Sequence, residues 1–142
     1  MDKNSMSCFP DNNWEEALKQ IVKEGELLFS SMVLRKYFDK RCHGIGRSRK
    51  HVDLADVYGK LVWMGYCHQQ NNTLLPGGYF QSNSIRISEG LGLSVRRTRE
   101  IANILQTLGL IKIKKSNGES NCYKVIPEAF ISIVFATYSE DE

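Results

Sequence analysis

Apolar positions recur along this chain at two spacings, and the switches between them divide it into elements. Trp14, Ala17, Leu18, Ile21 and Val22 repeat at 3.6 residues behind Asn13. Asn13 caps a helix, with Glu16 three residues on as in a capping box, and Gly25 closes the pattern. Leu27 to Phe38 is an apolar run that reads equally well as strand or helix. From Asp39 to His51, two glycines and a dense basic cluster predict a loop. Val52 to Gln70 predicts a long helix with Leu54, Val57, Tyr58, Leu61, Val62 and Gly65 on one face. Asp53 and Asp56 suit its positive end. Asn71-Asn72-Thr73 ends it, Pro76-Gly77-Gly78 forms a turn, and Tyr79-Phe80 begins a short strand.

The pattern then tightens. Asn83 caps a short helix that carries Ile87 and Leu91 inward, and Gly92-Leu93-Ser94 breaks and restarts the chain. Ser94 caps a longer helix from Val95 to Leu108, closed by Gly109, with Thr98, Ile101, Ala102, Leu105 and Leu108 on one face. Two helices joined by a short glycine-containing turn predict a helix-turn-helix. Leu110-Ile111-Lys112-Ile113-Lys114-Lys115 alternates apolar and basic, so Ile111 and Ile113 face the core and Lys112 and Lys114 share the other face. Asn117-Gly118 marks a hairpin turn, and Asn121 to Ile126 returns as the second strand of a wing that also carries Lys124. Pro127 suits the first turn of a terminal helix, although the β-branched content of the stretch to Tyr138 leaves a strand open. The fold class expected is α+β, mainly α: a winged helix-turn-helix with extra N-terminal and C-terminal helices. Residues 1–12 are read as a flexible N-terminus, 13–138 as the winged-helix domain, and 139–142 as an acidic tail that starts a linker to a domain outside this sequence.

A length of 142 residues supports one such domain. Charge changes the picture more than composition does. The net charge of +3 hides segments of −3 over residues 1–34, +10 over 35–124 and −4 over 125–142. A middle this basic points to a polyanion partner or to a solvated charged surface. There is no run of about 18 apolar residues and no apolar stretch behind the first five, so neither a membrane span nor a secretory signal is expected. A cytoplasmic location, in a bacterial host cell, is expected with Cys8, Cys42, Cys67 and Cys122 reduced. Cys42-His43 and Cys67-His68 are adjacent pairs, whereas zinc ligands stand two to four residues apart. Gly44-Ile45-Gly46 lacks the third glycine of a dinucleotide loop, and no paired acidic motif has metal-ligand spacing. No enzyme activity, cofactor or metal is expected.

The start of the Ser94 helix carries the candidate chemistry. Arg96, Arg97 and Arg99 lie at an end that is already partly positive, and each costs about 0.3–1 kcal/mol there at low salt. Phosphate is a natural compensating anion. Arginine also bonds guanine in bidentate fashion, and Asn103, one turn on, suits adenine. Arg96, Arg97 and Asn103 are therefore expected to read bases. Arg99, the wing residues Lys112, Lys114 and Lys115, and the loop residues Arg47, Arg49 and Lys50 are expected to hold phosphates. The competing expectation is a winged helix that docks proteins and binds no DNA. The apolar faces at Trp14–Val22 and Phe130–Tyr138 either cover the core or provide a homodimer interface.

Residues from about 28 to 126 resemble the winged-helix N-terminal DNA-binding domain of replication initiators from phages, plasmids and phage satellites. The resemblance is carried by the long helix Val52–Gln70, the aromatic strand Tyr79-Phe80, Asn83 and Ile87, Leu91-Gly92-Leu93-Ser94, Arg96-Arg97-Thr98, and Leu108-Gly109-Leu110-Ile111. It implies sequence-specific binding of double-stranded DNA at origin repeats, often as a dimer, followed by recruitment of helicase or primase through a further domain. By this carry-over Ser94, Arg96, Arg97, Arg99 and Asn103 occupy recognition-helix positions. The motifs fit a transcriptional regulator of the same fold as well. Two features depart from the family: Gly90 falls where the first helix of the motif is expected, and the loop from Lys40 to His51 is long and basic.

Overall fold

The computed structural model describes residues 32–42, 50–116 and 120–140. Its elements, in order, are α1 (Met32–Cys42), α2 (Lys50–Gln70), a 3₁₀ turn at Pro76–Gly78, β1 (Phe80–Ser82), α3 (Ser84–Ser88), α4 (Val95–Thr107), β2 (Ile111–Lys115), β3 (Asn121–Val125) and α5 (Pro127–Glu140). The architecture is α+β, mainly helical, with a small antiparallel sheet in the order β1-β3-β2. The Asn13-capped helix and the Asn117-Gly118 turn lie outside the described residues.

The apolar run around Leu34 and Phe38 resolves as helix. Both side chains are fully buried, four residues apart on one face of α1. The helix also absorbs residues 39–42, and α2 begins at Lys50, so the expected loop from Asp39 to His51 is shorter by both margins. Lysine and arginine are good helix formers, and they do not stop a helix as glycine does. Asn72, in the left-handed region at φ 57°, closes α2. Strand β1 starts at Phe80 and not at Tyr79.

Helix α3 is only five residues long. The Asn83 side chain accepts from Arg86 N at 2.9 Å, and the helix ends at Ser88, so Gly90 lies in the turn beyond it and interrupts no helix. Helix α4 buries Thr98, Ile101, Ala102 and Leu105, the i, i+3, i+4, i+7 stripe of a helix packed on one side. Leu108, expected on that stripe, is 45% exposed because it is the C-cap, where the chain turns away through Gly109 at φ 82°.

Helix α4 packs on α2, α3 and β2, and α5 packs on α1. Edge-to-face contacts run from Tyr37 and Phe38 through Tyr58 to Phe130, linking α1, α2 and α5. Phe130, Ile133 and Val134 of α5 are buried in the common core, so these three are spent on the fold and are not a dimer surface. The terminal stretch is helical through Glu140, which takes the first two residues of the expected acidic tail into α5. Among the described residues no helix is long and apolar enough to cross a membrane.

Candidate nucleic-acid interface

The tip of α4 is built by its cap. Ser94 stands in extended geometry, its Oγ accepts from Arg97 N at 3.0 Å, and its carbonyl accepts from the buried Thr98 hydroxyl at 2.9 Å. No acidic residue occupies the first turn. Ser94 thus caps α4 with both its hydroxyl and its carbonyl oxygen.

The three arginines divide. Arg96 is 88% exposed, and its one ion pair among the described residues, to Glu100 at 3.6 Å, is an exposed i,i+4 contact worth only about 0.3–0.5 kcal/mol. Arg99 is exposed and has no ion pair among the described residues. Arg97 differs. Its Nε and Nη2 both donate to Asp53 Oδ2 at 3.3 Å, and its Nη1 lies 3.7 Å from Glu100 Oε1. The Asp53 side chain is only 18% exposed. Sequence alone shows Asp53 as a residue suited to the start of α2, with no sign of its partner 44 positions on. Asn103 is exposed one turn along α4, and its carbonyl accepts from the Thr107 hydroxyl.

Strand register sorts the lysines. Lys112 pairs with Lys124 and Lys114 with Cys122, so these four share one face of the sheet. Gln81 joins them, being opposite Cys122 on β1. The other face carries Phe80, Ser82, Ile111, Tyr123 and Val125, all buried. Ile113 is partly buried against the same core, as expected. Lys115 has the core-side parity but stands exposed at the hairpin end. Gln106 of α4 reaches the free edge of β2, where its Oε1 accepts from Ile113 N at 2.7 Å. Lys114 and Lys124 flank the Tyr79 ring, with ammonium groups 5.7 and 6.0 Å from its centroid. The shared face of Lys112 and Lys114 was legible in the strand period; the pairing of Lys124 with Lys112 and the place of Tyr79 were not.

Arg47 and Arg49 lie outside the described residues, and Lys50 is the first residue of α2. Cys67 and Cys122 are free thiols, and burial pushes the Cys67 thiol above its ordinary pKa. Among the described residues no group of three or more His, Cys, Asp or Glu side chains stands close enough to hold a metal ion. No family model, curated protein or solved structure matches this chain.

Proposed function

We propose that this chain is a winged-helix domain that binds double-stranded DNA in a sequence-specific way, with α4 as its recognition helix. The order helix, strand, helix, helix, strand, strand from α2 to β3, with β1 completing the hairpin's sheet, supports the fold. The observation that carries the reading is the start of α4: exposed Arg96 at the partly positive helix end, with no acid in the first turn, and exposed Arg99 just beyond that turn. Arg96, Arg99 and Asn103 meet base edges. Arg97 holds the helix in place through Asp53. Lys115, at the hairpin end on the side of α4, meets a phosphate. The resemblance of the sequence to replication initiators favours a replication origin as the target, bound by a dimer that recruits helicase or primase.

Footprinting on the DNA that surrounds the coding sequence tests this. Protection over iterated repeats fits an initiator. Protection confined to the promoter fits a transcriptional regulator of the same fold. Absence of any salt-dependent duplex binding would overturn the DNA reading and leave a protein-docking winged helix.

A further inference from the structure

The solvent face of the sheet carries Lys112, Lys114 and Lys124, with Cys122 and Gln81 between them and no acidic residue on any of its three strands. Lys112 and Lys124 are directly opposite, an arrangement that destabilises a sheet unless an anion relieves it. Tyr79 gathers two of the three ammonium groups over its ring. Gly77 and Gly78, at φ 84° and 88°, make the turn that brings Tyr79 there, a backbone path other residues rarely take.

This face is not on the side of α4. Helix α4 packs on the core side of the sheet, where Ile101, Leu105 and Ile111 share one core, and it turns Arg96, Arg99 and Asn103 away from that core. A helix layer about 10 Å across stands between the two basic groups. We propose that the lysine face holds a second segment of duplex DNA, one that α4 does not engage, so that one domain bridges two duplexes. The proposal rests on the duplex-binding reading of α4. The side chains themselves select the partner. The only charged side chains of these strands on the face are lysines, compact charges that suit phosphates without reading sequence, whereas protein interfaces are depleted in lysine.

The test attaches to a bead a duplex carrying a site selected by the parent chain, so that α4 loads it, then loads the full chain and adds a second, fluorescent duplex of mixed sequence. The parent protein captures the second duplex at low salt. A variant with Lys112→Gln, Lys114→Gln and Lys124→Gln loads the first duplex as the parent does and captures the second about tenfold less or worse. Its salt slope for capture is shallower by about 2.7, three phosphates at about 0.9 each. Tyr79→Ala lowers capture, and Tyr79→Phe, which keeps the ring, restores it. Undiminished capture by the triple variant overturns the proposal. So does a triple variant that loads the first duplex poorly, because one duplex would then cover both faces. A polyglutamate chain that displaces the second duplex at equal charge assigns the face to an acidic protein instead. If the parent fails to load even the first duplex, the reading of α4 has failed, which is a different result from loading without capture.

Discussion

Arg97 of α4 and Asp53 of α2 meet in a three-atom contact: two guanidinium nitrogens on one carboxylate oxygen, each at 3.3 Å. The pair ties the first turn of one helix to the first turn of the other. It answers the unfavourable charge of Arg97 from within the chain. Arg96 and Arg99 have no such buried answer among the described residues, and the proposed function gives them the base contacts.

Removing either partner of this pair should therefore cost stability before it costs recognition. Arg97→Ala and Asp53→Asn are each expected to lower stability by about 1 kcal/mol, given that the guanidinium is about one-third exposed. Thermal unfolding should show a fall of roughly 4 °C. The double variant should lose no more than the worse single one, because the two act as a unit. Full additivity would mean that the pair does not couple.

Tyr58 makes the stability of the fold sensitive to alkali. Its hydroxyl is buried with no hydrogen-bond partner among the described residues, and burial raises its pKa far above the ordinary 10.0. The unfolded chain ionises this phenol near its ordinary value, while the folded chain keeps it protonated. The stabilising contribution is therefore full below pH 10 and lost as pH rises past it, by up to about 1.4 kcal/mol per pH unit. Denaturant titrations of Tyr58→Phe should match or exceed the parent at neutral pH and show a flatter alkaline arm. An unchanged arm would mean that Tyr58 is not the titrating group.

Phe130 tests whether α5 belongs to the domain. It is fully buried and closes the aromatic chain through Tyr58. Phe130→Ala should cost about 3–5 kcal/mol in chemical denaturation. A loss under 1 kcal/mol would mean that α5 is an appendage and that its apolar face is open to a partner.

How much of this was legible in the sequence follows from the range of each interaction. The caps at Asn83 and Ser94 act over three residues, and both stand where the side chains predicted them. The lysine parity on β2 follows from the two-residue period of a strand. The extent of α1 was misread because basic residues resemble a loop in composition while favouring helix in backbone energy. Asp53, Tyr79 and Gln106 found their partners only through the tertiary fold, and no local pattern announces such contacts.

The central claim is that the tip of α4 is cationic for the sake of DNA. Duplex affinity measured against salt, for the parent and for a variant with Arg96→Ala and Arg99→Ala, tests it most directly. The account predicts linear log–log behaviour for the parent, and a variant that loses about 1–3 kcal/mol of preference for a selected site over random duplex per arginine while thermal stability stays level. A variant that binds and discriminates like the parent would contradict it.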